Sequence, residues 1–321
     1  MAAQSRSKKR APAKRRRPGG NPQKRPTVAP SKATAGDWIG AARLRTLPLA
    51  VSPVLVGTGA ATLGGEPLHW VIALACLAVA VFLQVGVNYA NDYSDGIRGT
   101  DDVRVGPARL TGGRKAKPRT VLVVALVFFA LAAVAGLGIV VRTQQWWLLL
   151  VGAAAIVAAW FYTGGKRPYG YAGLGEIVVF VFFGLVATLG TTWVQSGDLP
   201  QEAWFGAVAV GFLACAVLLA NNLRDIDQDR AAGKRTLSTR IGRRGTQVLY
   251  TVLVLLPFGI GVFLGLFYPI AWLTLMALLS ALPAILIVWM YRVPRELVIA
   301  LALTSLTSLG YAAILFWAFV S

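Results

Sequence analysis

Long apolar stretches, separated by short charged connections, constrain the fold of this sequence more than any other feature. Charged residues make up 14% of the chain, against about 25% in a typical soluble domain. An apolar stretch of about 20 residues is long enough to cross a bilayer as a helix. Nine such stretches lie near residues 46–63, 69–90, 119–141, 145–163, 173–194, 203–223, 247–267, 269–291 and 297–320, the first being interrupted by Pro48 and Pro53. The sequence therefore predicts an all-α, polytopic membrane protein with a nine-transmembrane-helix bundle.

The connections between these stretches differ sharply in charge. When they are assigned alternately to the two sides of a membrane, 31 of the 32 Lys and Arg residues fall on one side, and Arg142 is the exception. Positively charged loops mark the cytoplasmic side of a membrane protein. We therefore expect a bacterial cell-membrane protein whose N-terminus and charged loops are cytoplasmic and whose C-terminus is outside.

The N-terminal segment is strongly basic and carries no acid. Residues 1–35 contain 11 Lys and Arg residues spaced by Pro, Ala, Gly and Ser, a composition that cannot bury a core. We expect a disordered cytoplasmic tail over 1–36 and a membrane domain over 37–321. A nucleic-acid-binding arm is the alternative, but the tail lacks the aromatic residues of a stacking platform. An orientation signal that also contacts anionic membrane lipid is the simpler interpretation.

Two clusters of acids stand where predicted helices leave the membrane on the cytoplasmic side. They contain seven of the 13 acids: Asp92, Asp95, Asp101, Asp102, Asp225, Asp227 and Asp229. At about 100° per residue, each cluster places two Asn and two Asp residues within an arc of about 100°. These sets are Asn88, Asn91, Asp92 and Asp95 in the first cluster, and Asn221, Asn222, Asp225 and Asp229 in the second. Asp227 points away from the second set.

Such acids need a positive partner. Carboxylates at helix C-termini oppose the helix dipole, and two facing clusters repel each other strongly in a low dielectric. Carboxylate and amide oxygens suit Mg²⁺, which proteins commonly bind together with substrate phosphates. Two matched clusters on one side of the membrane therefore predict a magnesium–diphosphate site. The alternative is that these residues are helix caps and loop acids paired with nearby arginines.

A third cytoplasmic segment combines aromatic rings and basic residues. It runs from Tyr162 to Tyr171, with Lys166 in a Gly-rich turn. Lys166 is a candidate for assisting the departure of a diphosphate, and a tyrosine face could shield a carbocation. An interfacial aromatic belt is the alternative. Glu176, near the start of the fifth stretch, is either a helix N-terminal acid or a site residue.

These motifs resemble those of the UbiA-type intramembrane aromatic prenyltransferases over residues 38–321. The family's Asn-Asp-x-x-Asp and Asp-x-x-x-Asp motifs correspond to Asn91-Asp92-x-x-Asp95 and Asp225-x-x-x-Asp229, and its Tyr-x-x-x-Lys element to Tyr162 and Lys166. Many relatives carry a third acid where this chain has Gly99, which leaves Asp101 or Asp102 as candidate substitutes.

Further segments resemble the branch of the family that acts on 1,4-dihydroxy-2-naphthoate. They include Arg43-x-x-Thr46-Leu47-Pro48 and Gly233-Lys234-Arg235-Thr236-Leu237. The resemblance implies an enzyme of menaquinone biosynthesis that transfers a polyprenyl group from polyprenyl diphosphate to this aromatic acid. The acceptor is decarboxylated in the process, giving demethylmenaquinone.

The resemblance also implies roles for individual residues. Mg²⁺ would be held by Asp92, Asp95, Asp225 and Asp229, with Tyr162 and Lys166 as further catalytic residues. Arg43 is the candidate for binding the acceptor's carboxylate. The remaining expected substrate-binding residues are Asn88, Asn91, Asn222, Arg224 and Lys234.

Two further functional alternatives stay open on the sequence alone. A sister prenyltransferase would share the diphosphate site but use 4-hydroxybenzoate, haem or a sugar phosphate as acceptor. A membrane transporter would typically place its charges near the bilayer midplane on broken helices, whereas these acids lie at one interface. The donor's chain length and the oligomeric state cannot be read from the sequence.

Overall fold

The computed structural model describes residues 32–99 and 109–321, and within these ranges the chain is helical, without β-strands. The tail predicted over 1–36 therefore lies largely outside the described residues, as do Asp101 and Asp102. The α-helices are α1 (Ala35–Ala42), α2 (Pro48–Ala60), α3 (Trp70–Ile97), α4 (Pro118–Thr143), α5 (Leu148–Phe161), α6 (Gly175–Val179), α7 (Ala187–Ser196), α8 (Gln201–Arg224), α9 (Ile226–Ala231), α10 (Leu237–Gly265), α11 (Leu278–Met290) and α12 (Leu297–Val320).

Seven helical segments of the described chain are long and apolar enough to cross a membrane. They are Trp70–Ile97, Pro118–Thr143, Gly175–Ser196, Gln201–Arg224, Leu237–Gly265, Pro269–Met290 and Pro294–Val320. These segments confirm a multi-pass, all-helical membrane protein.

The predicted count of nine spans is not reached by this criterion, because two of the nine stretches form helices of a different kind. The first, predicted near 46–63, forms Pro48–Ala60, which joins the preceding helical segment Ala35–Thr46 at a bend of 44°. Pro48 takes the first position of α2, where its missing N–H is not needed. The helix α5 has only 14 residues, or about 21 Å at 1.5 Å per residue, less than the bilayer core of about 30 Å.

Helix α8 lies at the centre of the bundle, packed against α2, α10 and α12. Its small residues let neighbouring backbones approach closely, as is common between membrane helices. A Cβ added at Gly206 would lie 2.3 Å from Cγ1 of Val56 on α2. Similarly, a Cβ at Gly57 would lie 2.4 Å from the Thr188 carbonyl oxygen on α7. Glycine at these two positions therefore fixes the spacing of α2 from α8 and α7.

A seven-residue π-helical segment, Phe180–Val186, joins α6 to α7 within one continuous span. Such segments are rare and often found at functional sites. Phe182, Phe183 and Val186 from this segment line the large cavity described below. The π-helical segment therefore forms part of the cavity wall.

Candidate active site

A cavity of about 600 Å³ runs between α2, α3, α5, α8 and the Gly175–Ser196 span. Both Asp95 and Cys76 on α3 line it, so it follows about 28 Å of that helix at 1.5 Å per residue. One end is polar and the walls beyond are mainly aliphatic and aromatic. The polar end includes Arg43, Asn88, Asn91, Asp95, Arg109, Tyr162, Tyr171, Asn221, Asn222, Asp225, Asp229 and Lys234.

Asp92, the first acid of the first motif, is turned toward a loop instead of the cavity. Its Oδ2 accepts a hydrogen bond from the Leu110 N–H at 3.0 Å, and its Oδ1 accepts one from the Thr111 N–H at 2.8 Å. The residue is 1% exposed and is not part of the cavity lining. The loop can come this close because residue 96 is glycine: a Cβ there would lie 2.4 Å from Cγ2 of Thr111. Asp92 therefore anchors the loop that follows α3.

Asp95, one helical turn later, does face the cavity and is contacted from three separate segments. The Tyr171 hydroxyl donates a hydrogen bond to its Oδ1. Arg109 Nη2 lies 3.5 Å from its Oδ2, and Lys234 Nζ lies 3.5 Å from its Oδ1. Asp95 is thus the point where the loops around the site converge.

In the second motif, Asp225 and Asp229 line the cavity and Asp227 does not. Arg224 donates two hydrogen bonds to the carboxylate of its neighbour Asp225, from Nε to Oδ1 at 2.8 Å and from Nη2 to Oδ2 at 2.7 Å. The same Nη2 donates to Asn221 Oδ1. Asp227 is exposed and paired with Arg243, as its position off the helical arc predicted.

The loop between α5 and α6 joins the two motifs. Near the first motif, the Thr163 hydroxyl donates to Asn91 Oδ1 at 2.6 Å, and Arg98 donates to the carbonyls of Thr163 and Gly165. Toward the second motif, the Arg235 N–H donates to the Tyr171 carbonyl at 2.9 Å. This loop therefore holds the ends of α3 and α9 in one site.

Within the same loop, the two predicted catalytic residues have different surroundings. Tyr162 lines the cavity and packs edge-on against Tyr169 at 5.5 Å between ring centroids. Burial raises the pKa of Tyr169, whose neutral hydroxyl donates to the Ala158 carbonyl. Lys166 is exposed and outside the cavity lining, and it directly follows Gly165, whose φ is +73°.

Arg43 stands at the bend between α1 and α2, in a left-handed conformation with φ 56°. Asn88 supports that bend by donating from Nδ2 to the Ala42 carbonyl at 2.9 Å. On α8, Asn222 Nδ2 donates to Glu176 Oε1 at 2.9 Å. Glu176 was interpreted either as a helix N-terminal acid or as a site residue. Its contact with Asn222 favours a residue that supports the site.

The donor atoms at the polar end suit a hard divalent cation. Asp95, Asp225 and Asp229 offer carboxylate oxygens, and Asn91 and Asn221 offer amide oxygens, which are the ligands Mg²⁺ prefers. Their side chains do not form a ready-made cage: within residues 32–99 and 109–321, no three His, Cys, Asp or Glu residues are grouped closely enough to hold a metal ion. Gly99, at the position of the family's third acid, has φ +70°, a conformation that favours glycine.

Four residues of the site were given no individual role by sequence reasoning: Arg109, Thr163, Tyr171 and Asn221. Tyr171 and Thr163 belong to the aromatic and basic segment that was noted as a whole, and Asn221 shares the arc of the second motif. Arg109 follows the first motif at a distance that no helical periodicity connects to Asp95.

The sequence profile of the UbiA prenyltransferase family matches residues 50–297. A 1,4-dihydroxy-2-naphthoate octaprenyltransferase from Mycobacterium tuberculosis is 52% identical over 218 residues, covering 68% of this chain and 74% of that protein. An enzyme of the same name from Escherichia coli is 38% identical over 215 residues, covering 64% of this chain and 68% of that protein.

Solved structures support the same fold. The apo structure of a UbiA homologue from Aeropyrum pernix covers 82% of this chain and 96% of its own, with a TM-score of 0.64 at 18% identity. A UbiA homologue from Archaeoglobus fulgidus, bound to GPP and Mg²⁺, covers 89% of this chain and all of its own, with a TM-score of 0.63 at 15% identity. Since the family profile spans most of the sequence and the mycobacterial relative shares half of its aligned residues, the chain belongs to the UbiA prenyltransferase family.

Proposed function

We propose that this chain transfers a polyprenyl group from polyprenyl diphosphate to 1,4-dihydroxy-2-naphthoate. The acceptor loses its carboxylate as carbon dioxide, and the product is demethylmenaquinone in its quinol form. The observation that carries the proposal is the cavity whose polar end holds acids of both motifs and whose remaining walls are mainly apolar. A molecule with an anionic head and an isoprenoid tail matches both parts, and the names of the relatives supply the acceptor.

We assign the metal to the acids that line the cavity, Asp95, Asp225 and Asp229. Mg²⁺ bound there would neutralise the diphosphate and favour its departure. The structure bound to GPP and Mg²⁺ is of a homologue with the same fold, which makes Mg²⁺ the leading candidate. Asp92, predicted as a fourth ligand, is assigned instead to positioning, because both its oxygens already accept backbone hydrogen bonds.

The cationic side chains at the polar end stabilise the charge that develops as the allylic C–O bond breaks. Arg109 and Lys234 lie within 3.6 Å of the cavity's acids, close enough to reach a diphosphate held by the same acids. The bonding electrons leave with the diphosphate, and donors placed in advance around it lower the barrier. The exposed position of Lys166 favours Lys234 over Lys166 for this role.

The acceptor ring then attacks the allylic carbon. Arg43 lines the cavity and would bind the ring carboxylate by charge-assisted hydrogen bonds. The Tyr162 ring also lines it and would shield the developing cation. If the new C–C bond forms at the ring carbon that bears the carboxylate, the electrons of the bond to carbon dioxide restore aromaticity. No proton and no oxidant are then needed for the transfer.

The site would face the cytoplasm. The loops that converge on Asp95 carry most of the basic residues of the membrane domain, and positive loops mark the cytoplasmic side. This orientation places the polar end of the cavity within reach of water-soluble 1,4-dihydroxy-2-naphthoate. The C-terminus would then lie outside, in agreement with the predicted nine spans. A count of nine requires that both the bent α1–α2 pair and α5 cross the membrane.

The purified protein in detergent, supplied with a polyprenyl diphosphate and 1,4-dihydroxy-2-naphthoate, provides the test. We expect prenylated product and carbon dioxide with Mg²⁺, none with chelator, and none from Asp225→Ala. Parallel reactions with 4-hydroxybenzoate, haem and a sugar phosphate test the acceptor. Product with one of these and none with the naphthoate would overturn the acceptor assignment, while transfer in chelator would overturn the metal assignment.

A further inference from the structure

Lys234 links the two acidic motifs directly. Its Nζ lies 3.5 Å from Asp95 Oδ1 at the end of α3 and 3.6 Å from Asp229 Oδ1 on α9. The side chain is 11% exposed, so these contacts are only weakly screened by solvent. The ammonium thus neutralises acids from both motifs at the proposed Mg²⁺ site.

The position of this ammonium is fixed by its surroundings. Helix α9 ends at Ala231, and Gly233, with φ +71°, turns the chain back two residues later. The Lys234 N–H donates to the Asp229 carbonyl at 2.8 Å. The Tyr171 ring lies under the ammonium, 4.4 Å from Nζ to the ring centroid, in a favourable cation–π contact. Tyr171 also donates its hydroxyl to Asp95, so one residue orients both members of the ion pair.

Two cations cannot share these oxygens without mutual repulsion. An ammonium about 3.5 Å from the carboxylates opposes the binding of Mg²⁺ alone at the same atoms. A diphosphate changes this balance, because its oxygens bind the metal and give the displaced ammonium a new anionic partner.

We propose that Lys234 is an exchangeable cation of this site, which holds Asp95 and Asp229 together and yields their oxygens to Mg²⁺ only when diphosphate arrives with the metal. This inference rests on the proposed diphosphate site. It assigns to the protein a preference for the magnesium–diphosphate complex over either ion alone. Lys234 is therefore a determinant of binding order as well as a substrate contact.

Metal titration of the purified full chain tests this without requiring any transfer activity. The binding of Mn²⁺, followed by electron paramagnetic resonance, is measured with and without inorganic diphosphate for wild type, Lys234→Met and Lys117→Met. Methionine keeps an unbranched, apolar stem and removes the charge. Lys117 is an exposed lysine just before α4 and outside the cavity lining, so it serves as the matched control.

In Lys234→Met we expect Mn²⁺ alone to bind roughly tenfold more tightly, since a nearby like charge has been removed. The enhancement of metal binding by diphosphate should fall by at least a similar factor. Lys117→Met should match wild type in both titrations, and Lys234→Arg should keep the weak binding of metal alone.

Unchanged or weaker binding of Mn²⁺ alone by folded Lys234→Met would overturn the proposal and leave Lys234 as an ordinary diphosphate contact. Thermal denaturation establishes that the variant is folded, and the charge-conserving Lys234→Arg provides the comparison if it is not. If the titrations behave as expected but no acceptor is prenylated, the proposed function fails and the cation exchange stands. If transfer occurs but the titrations contradict the expected pattern, the proposed function stands and the cation exchange is overturned.

Discussion

The acidic motif at the end of α3 and the acidic motif at the α8–α9 junction differ in where their partners come from. In the first, Asp92 is held by backbone N–H groups of residues 110 and 111, and Asp95 by side chains from three other segments. In the second, Asp225 is held by the adjacent Arg224, and Asp229 by Lys234, five residues later. The first motif is thus organised by distant loops and the second largely by its own neighbourhood.

This difference shows that acids in similar sequence motifs do not necessarily have similar roles. Of the two acids in the first motif, one lines the cavity and one anchors a loop. Of the three acids around the second motif, two line the cavity and Asp227 pairs with Arg243 at the surface. Substitutions at single acids can therefore separate metal binding from loop positioning.

Within the first motif, Asp95→Asn should give the largest effect, because Asp95 is the only acid of the described part of that motif that lines the cavity. We expect prenyl transfer to fall on the order of 10²–10³-fold, the loss typical of removing one preorganised electrostatic contact. Metal titration and product formation measure this directly. A loss smaller than that caused by Asp92→Asn would reverse the roles assigned to the two residues.

Asp92→Ala should act on the loop first and on transfer second. Two buried N–H groups would lose their acceptor, at about 1–3 kcal/mol each, so the amides of residues 110 and 111 should exchange hydrogen faster. Transfer should fall about tenfold through displacement of Arg109, a loss of about 1.4 kcal/mol. Metal affinity should stay within about threefold of wild type, about 0.7 kcal/mol. Loss of metal binding equal to that of Asp95→Asn would instead support Asp92 as a ligand.

Tyr171→Phe tests the loop that joins the motifs with a smaller change. The variant keeps the ring under Lys234 and removes only the hydrogen bond to Asp95. Loss of one such bond costs about 1 kcal/mol, so we expect transfer to fall roughly fivefold. Tyr169→Phe, whose hydroxyl contacts the Ala158 carbonyl instead, is the matched control. Equal effects of the two variants would mean that Tyr171 acts only through general packing.

Asp227→Asn should have the smallest effect of the series. Its partner Arg243 is 48% exposed, and exposed ion pairs contribute about 0–1 kcal/mol. Transfer should stay within about twofold of wild type, and the thermal midpoint should hardly move. A large loss of metal binding would show that the second motif uses all three of its acids.

Much of the fold follows from hydrophobic patterning, because a long apolar segment in a bilayer must satisfy its backbone as a helix. All nine predicted stretches contain helix, and the break at Pro48 falls where proline interrupts the first. The number of spans was less predictable, since hydropathy does not report the 44° bend or the early end of α5.

The helical arcs predicted from the sequence included Asn91, Asp95, Asp225 and Asp229, which line the cavity, and they excluded Asp227, which does not. Periodicity within a helix says nothing about contacts made by loops. It therefore missed the backbone groups that hold Asp92, and the folding of Tyr171 onto Asp95. Lys166 likewise lies exposed and outside the cavity lining, although the Tyr-x-x-x-Lys pattern predicted a catalytic role for it.

The π-helical segment Phe180–Val186 has a consequence for the phase of its span. It lets Glu176, before it, face Asn222 on α8, and Thr192, after it, donate to the Gly57 carbonyl on α2. In an uninterrupted α-helix, one residue fewer would rotate one half against the other by about 100°. The span therefore consists of two α-helical halves whose faces are out of phase, joined by the π-helical segment. Deleting one residue from this segment would turn one of these two contacts away from its partner.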